Sequence, residues 1–290
     1  GEVVAVSCGA EMGLVTGGCS AAQVLMVAAC MTGMSEENAE QLPDTTGMKN
    51  EVILFSGQRN RYDKAFVTAG ATMVEYGEVG SVTPQDLDDA INENTACVAY
   101  VVAPFGAEGI GLEETVRVAH ARGVPVIVDA AAEVPPRANL TKFHDQGADM
   151  VAFSGGKGIG GPQSSGLLAG KKELMEAVWL NSLNLESPIA AIGRPMKVSK
   201  ENIVGLVTAL QLFTDSDETA EWDGWVSKAK YVADRLSGIK GIRVEIEGVA
   251  EKRQGPQPIL YFEDDYEGPS IAEIKDQLEN GDPGIYVGGG

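Results

Sequence analysis

Histidine is nearly missing from this chain, with His120 and His144 alone among 290 residues. That scarcity excludes a histidine-built metal centre and gives a Ser-His-Asp nucleophile little to draw on. Both histidines are expected to be solvated or structural, His120 on a helix and His144 in a loop. Four cysteines, Cys8, Cys19, Cys30 and Cys97, show no C-x-x-C spacing, so reduced and mostly buried thiols are expected. Basic residues are also few, 22 against 42 acidic, for a formal charge of -20. A solvated surface of that sign does not grip nucleic acid or anionic lipid, and any anionic ligand must meet a local basic pocket. Long apolar runs are lacking too. The charge-free stretch 13–35 is interrupted by Gly17-Gly18, Ser20 and Gln23, which leaves 21–31 as a core helix and no membrane span. No signal peptide opens the chain, which points to a reducing cytoplasm. The first residue is Gly1 and the last are Gly288-Gly289-Gly290, soon after a strand-like 284–287, so both ends are expected to be incomplete.

What the chain does have is apolar residues, at 44%, and 36 glycines, a mixture suited to a sizeable core with many tight strand-to-helix turns. Strand-like runs recur at 11–15, 51–55, 72–76, 97–103, 124–128, 150–153 and 166–169, with helical segments between most of them. Thr83-Pro84-Gln85-Asp86 supplies an N-cap, a proline at the first helical position and an acidic third residue, predicting a helix to about Asn92. This alternation predicts an α/β fold: a mainly parallel sheet with helices on both faces, whose ligand lies beyond the carboxyl ends of the strands. Residues 1–197 form the expected large domain, and 198–290 a linking helix and a smaller C-terminal α+β domain.

Three polar residues fall at such strand ends: Thr16, Asp129 and Ser154. Twenty-eight positions beyond Asp129, Lys157 sits in Ser154-Gly155-Gly156-Lys157-Gly158-Ile159-Gly160-Gly161. A lysine on a glycine-rich turn can hold an aldehyde cofactor as a Schiff base, and a carboxylate on a neighbouring strand can keep a pyridine nitrogen protonated. Pyridoxal 5'-phosphate is the cofactor that asks for both. Its phosphate needs donors, and Thr16-Gly17-Gly18-Cys19-Ser20 leads into a helix whose first amides are unpaired, with Ser154 able to add a hydroxyl. The same glycine turn also serves as a plain strand-to-helix connection, and Asp129 by itself as a turn former. The G-x-x-x-x-G-K-[ST] order of a nucleotide-binding loop is absent around Lys157.

The segment Ala152-Phe153-Ser154-Gly155-Gly156-Lys157-Gly158-Ile159-Gly160-Gly161-Pro162-Gln163, followed by Gly166-Leu167-Leu168-Ala169-Gly170, resembles the lysine segment of the L-seryl-tRNA(Sec) selenium transferase family. Ala90-Ile91-Asn92-Glu93-Asn94-Thr95-Ala96 is similar as well. Leu42-Pro43-Asp44-Thr45-Thr46-Gly47-Met48-Lys49-Asn50-Glu51 resembles the branch without an RNA-binding part, typified by D-glucosaminate-6-phosphate ammonia-lyase. The resemblance implies a type I pyridoxal-enzyme fold, dimeric or larger. It also implies Lys157 as the Schiff-base lysine, Asp129 as the partner of the pyridine nitrogen, and Arg194 as an anion-binding arginine. Arg59 joins it as a substrate-binding candidate, with Arg61, Lys49 and Lys197 as further positive charges more at home in surface salt bridges. One departure stands out: Gln58 occupies a place where that branch leads one to expect histidine. The implied reaction is a lyase-type α,β-elimination on a small hydroxy-amino acid or amino sugar acid phosphate, giving a 2-keto acid and ammonia. The alternatives are selenium transfer on seryl-tRNA, racemisation or transamination at the same site, and a non-catalytic binding subunit.

Overall fold

A computed structural model describes residues 1–102, 107, 109–183, 188–248 and 255–288. The chain divides into two compact units, Gly1–Glu218 and Thr219–Gly290. Seven strands form one sheet: β1 (Met12–Thr16), β2 (Glu51–Phe55), β3 (Thr72–Tyr76), β4 (Thr95–Val101), β5 (Val126–Asp129), β6 (Met150–Ser154) and β7 (Gly166–Gly170). Their order is β1-β7-β6-β5-β4-β2-β3. The helices of this unit are α1 (Glu2–Cys8), α2 (Cys19–Thr32), α3 (Glu36–Gln41), α4 (Lys64–Val67), α5 (Pro84–Ala90), α6 (Leu112–Ala121), α7 (Asn139–Asp145), α8 (Lys172–Leu183) and α9 (Lys200–Asp215). The helix anticipated as a link between domains is α9, which packs with the first unit through buried Leu206 and Leu210. The second unit holds α10 (Glu218–Leu236), whose first residue is the last of the first unit, the antiparallel pair β8 (Ile242–Glu247) and β9 (Gln257–Phe262), and α11 (Ile271–Glu279).

Strands β3, β2, β4, β5 and β6 run parallel, as the alternation predicts, and β7 is antiparallel to both β6 and β1. Two reversals restore direction, so β1 runs with β6 and the end of β1 lies at the same sheet edge as the ends of β5 and β6. The register draws the line Thr16, Gly166, Ser154 straight across that edge, with Asp129 opposite Ala152.

Side chains alternate between the sheet faces, and the core divides accordingly. Val126, Val128 and Phe153 join the layer with α1, α6 and α9, whereas Ile127, Met150 and Ala152 join the layer built on α2. Residues two apart share a face, so Asp129 follows Ile127, Ser154 follows Ala152 and Thr16 follows Leu14 toward α2. That helix is apolar nearly all round, with twelve of its residues buried, because it is packed between the sheet and α8. Full burial of a side chain the size of Leu25 or Met26 contributes about 1.5–3 kcal/mol, which holds the helix against the sheet. No helix among the described residues is long and apolar enough to cross a membrane.

Local signals behave as expected at α5, where Thr83 and Asp86 cap each other reciprocally around Pro84. Two expectations are corrected. Residues 284–287 form no strand: the second sheet has only β8 and β9 among the described residues, and the Ile285 amide donates instead to the Leu278 carbonyl in α11 at 2.8 Å. His144 lies in the last turn of α7, and its Nδ1 meets the Ala148 carbonyl. At the sheet edge away from Asp129, buried Asp149 binds the Val126 amide, His120 Nε2 at 2.8 Å and Lys171 Nζ at 2.6 Å. His120 is therefore structural. All four cysteines are free, and burial pushes the Cys8 thiol up to about 12.

Candidate active site

The site grows out of α2 entering directly behind β1. Gly18 precedes the helix with φ of 141°, a conformation that favours glycine, and open space surrounds the place where its Cβ would stand. No side chain caps α2, so its first amides are without the usual acceptor and point out of the helix, where the dipole favours an anion. The Thr16 hydroxyl donates to the Gly18 carbonyl at 2.9 Å, shaping this turn from inside. Gly166 makes the turn possible, because a Cβ there would lie 2.6 Å from the Gly18 carbonyl carbon and 2.8 Å from the Cys19 nitrogen. A cleft of about 450 Å³ opens beside the turn, bordered by Gly17, Ser20, Arg61, Lys64 and Met196.

Asp129 is buried against the first turns of α2. Its Oδ1 accepts the Ala131 amide at 3.0 Å and the Cys19 thiol at 3.4 Å, and its Oδ2 accepts from Gln23 Nε2. Cys19 and Gln23 stand one helical turn apart, so both reach the same carboxylate. A carboxylate offers about four acceptor positions. Three are filled, which leaves one on Oδ2. Burial raises Asp129 above its ordinary value, opposed by the Ala131 amide, the Cys19 thiol, the charge of Lys157 and the Gln23 amide. Burial, followed by the Asp129 charge and its hydrogen bond, pushes Cys19 well above the usual thiol range, while Lys157 acts the other way. Lys157 thus lies within electrostatic reach of both.

The lysine sits on the turn directly after β6, exposed at its tip. Backbone hydrogen bonds from Gly155 to Ser165, Gly160 to Lys157 and Gly161 to Gly155 fix the turn, and Gln163 Nε2 adds a bond to the Gly156 carbonyl. Close packing accounts for its glycines. A Cβ on Gly158 would stand 2.0 Å from the Val134 carbonyl oxygen, which no side chain tolerates. Ser154, half-buried at the end of β6, shares this edge with Thr16.

The structure therefore brings together Thr16, Gly17, Gly18, Cys19, Ser20, Asp129, Ser154 and Lys157. The arginines divide. Arg194 is exposed on a single 3₁₀ turn, Arg194–Met196, whose Met196 carbonyl oxygen would lie 2.8 Å from a Cβ on Gly17, so this turn covers the start of α2. Among the described residues no carboxylate pairs with Arg194. The Arg59 guanidinium is held by Asp63 at 2.5 Å and by Glu75. Lys49 precedes β2 and so stands at the far edge of the sheet. Gln58 is buried, and its Oε1 accepts the Val101 amide at 3.1 Å, tying the end of β4 to the turn after β2. Sequence reasoning missed Gln23 and Gly166. The signal for Gln23 was there, as a lone amide in an otherwise apolar helix.

Comparison with known proteins gives this geometry a family. Residues 63–259 match the family described as Aminotransferase class-V. The D-glucosaminate-6-phosphate ammonia lyase of Salmonella typhimurium is 32% identical over 99% of this chain and 75% of its own length. A solved structure of D-glucosaminate-6-phosphate ammonia-lyase superposes with a TM-score of 0.83, at 32% identity and the same two coverages. The 5'-C-glycyluridine monooxygenase-decarboxylase of a Streptomyces species is 30% identical over 99% of this chain and 71% of its own. An L-seryl-tRNA(Sec) selenium transferase of Nitratidesulfovibrio vulgaris follows at 27%, covering 80% of this chain and 51% of that protein. With its sheet order, its lysine turn and these relatives, the chain belongs to the class-V aminotransferase family and shares the type I fold of pyridoxal enzymes.

Proposed function

We propose that this protein is a pyridoxal 5'-phosphate-dependent lyase. It eliminates the β-hydroxyl of a hydroxy-amino acid or amino sugar acid phosphate and releases ammonia and a 2-keto acid. One observation carries the reading: Asp129 keeps a single open acceptor position beside the uncapped start of α2, at the sheet edge where the Lys157 turn follows β6 and within electrostatic reach of that lysine. Those groups fit the cofactor at its pyridine nitrogen, its aldehyde and its phosphate. The open space around Gly18 leaves room for a phosphate to approach the backbone. When bound, the cofactor supplies an electron-accepting ring that stabilises negative charge on the carbon next to the substrate amine.

The chain's own residues supply the rest. Ionised Asp129 would keep a proton on the ring nitrogen, which would make the ring a better acceptor. Lys157 would hold the cofactor aldehyde, and its Nζ, when free, would serve as the base for the substrate α-proton. The same nitrogen, once protonated, would be the donor for the departing hydroxyl. Net, the substrate loses one water and regains one, exchanging its amine for a carbonyl oxygen. Amides at the start of α2, the Ser20 hydroxyl and the Ser154 hydroxyl would receive the phosphate. Arg194 would bind a substrate carboxylate or phosphate through two parallel hydrogen bonds. Arg59 would contribute only after release from Asp63 and Glu75. In this reading the protein works as a homo-oligomer on a small molecule, in the reducing cytoplasm that free thiols suit.

The test is direct. Protein incubated with pyridoxal phosphate acquires a visible absorbance band, borohydride fixes the cofactor to Lys157, and a screen of hydroxy-amino acids and phosphorylated amino sugar acids finds one that releases ammonia. No band and no fixed cofactor would sink the proposal. The Streptomyces relative is named for decarboxylation at similar identity, so carbon dioxide is measured beside ammonia, and its release without ammonia would move the reaction to that type.

Gly166 offers a separate check on the phosphate cradle. A methyl at that position pushes first on Gly18, the Cys19 amide and the Thr16 hydroxyl. Gly166→Ala should weaken cofactor binding on the order of 10- to 100-fold, the loss expected for one hydrogen bond to a charged group. Equilibrium dialysis gives the value, and an unchanged affinity would remove the turn from the site.

A further inference from the structure

We infer that Gln23 is a positioning residue for Asp129, keeping the buried carboxylate ionised and turned so that its open lone pair faces the crevice. The inference rests on the cofactor reading above and extends it to a residue that touches neither cofactor nor substrate. Gln23 lies in the second turn of α2, 2% exposed, with buried Ala22, Val24, Leu25 and Val27 beside it along the helix. A buried amide among apolar neighbours is unfavourable unless its hydrogen bonds are made. Here the Nε2 bond goes to Asp129 Oδ2, while Oε1 is buried without a partner. The side chain therefore sits with one end unsatisfied, and what that arrangement secures is the carboxylate.

Burial works against the charge of Asp129. It is 7% exposed, and the titratable groups facing it are Lys157, from the turn after β6, and the neutral Cys19 thiol, from α2 itself. Lys157 must give up its place beside the cofactor during turnover, and a thiol donates weakly. The Gln23 amide and the Ala131 amide are the fixed donors that stay. They hold opposite oxygens, so the carboxylate plane is set by the pair, and loss of Gln23 frees Oδ2 to rotate. The same helix carries the phosphate cradle at its first residue, which ties the two ends of the cofactor site to one rigid element.

Gln23→Leu should weaken pyridoxal phosphate retention on the order of 10- to 100-fold and diminish the visible band of the protein that still binds it. Gln23→Glu separates positioning from packing. Its protonated acid can still donate to Asp129, whereas its carboxylate repels it, so retention in this variant should recover toward wild type as pH falls and worsen as pH rises. In an Asp129→Asn background Gln23→Leu should add little, because both changes remove one interaction. Equal losses in Gln23→Leu and Gln23→Glu at every pH, or full additivity with Asp129→Asn, would show a packing role and overturn the inference. Unchanged retention and absorbance in both variants would overturn it as well. If Gln23→Leu does not fold, the pH slope of Gln23→Glu against wild type decides alone. A wild-type protein that takes up no cofactor defeats the functional proposal instead, and the two failures are told apart by that control.

Discussion

Lys157→Ala should abolish ammonia release and borohydride fixation of the cofactor while the protein folds and melts as the wild type does. The loss in rate is expected to be at least ~10³, because the variant gives up both the covalent anchor and a positioned proton carrier, and proton transfer alone typically contributes about 10² to 10⁴. The turn should survive. Its hydrogen bonds run between backbone groups and Gln163, none of them through the lysine side chain, and that side chain is exposed. Steady-state ammonia release, compared with thermal melting of the same sample, checks both halves. Wild-type turnover in Lys157→Ala would remove the lysine from the mechanism. A variant that fails to fold would show that the turn has a structural need the geometry does not reveal.

Most of this arrangement is legible in the sequence. Apolar runs ending in Thr16, Asp129 and Ser154, separated by helical spacing, place three polar residues at one edge of a parallel sheet by topology alone. The reversal through β7 was not legible, because antiparallel pairing depends on which strand is adjacent and β7 reads like any other buried strand. Nor did the sequence separate Arg59 from Arg194. Both are arginines near glycine or polar turns, and only the folded chain sets Asp63 and Glu75 against the first. Gln23 was visible as a polar break in an apolar stretch, yet its meaning needed Asp129 opposite it, 106 residues away in the chain. His144 was misplaced because α7 is a single short helix whose apolar spacing is too brief to register. Short helices and pairings distant in sequence are set by tertiary contacts, which is where reading from pattern ends.

Asp129→Asn should cut turnover by about 10² or more and leave the cofactor-free protein as stable as wild type, or more stable, at neutral pH. Activity falls because a neutral amide cannot keep the ring nitrogen protonated, the same reason that placed an acid there. Stability follows from linkage. Burial raises the folded-state value of Asp129 above its ordinary 3.8, so the folded protein binds this proton more tightly than the unfolded chain. The group therefore makes the fold less stable as pH rises from about 4 through the folded value, and the penalty is fully present above it. Asparagine removes that dependence. It also finds partners: its oxygen can accept from the Ala131 amide and Cys19, and a flip of Gln23 presents the unpaired Oε1 to its nitrogen. Melting of cofactor-free protein across pH should show the variant level with wild type in acid and ahead of it near neutrality. Each kcal/mol gained is worth on the order of 2–4 °C for a chain of this size. The opposite order, with wild type the more stable at pH 7 and the gap closing in acid, would mean that the carboxylate stabilises the fold. Asp129 would then be a structural residue, since a buried charge kept for catalysis is expected to oppose stability rather than support it.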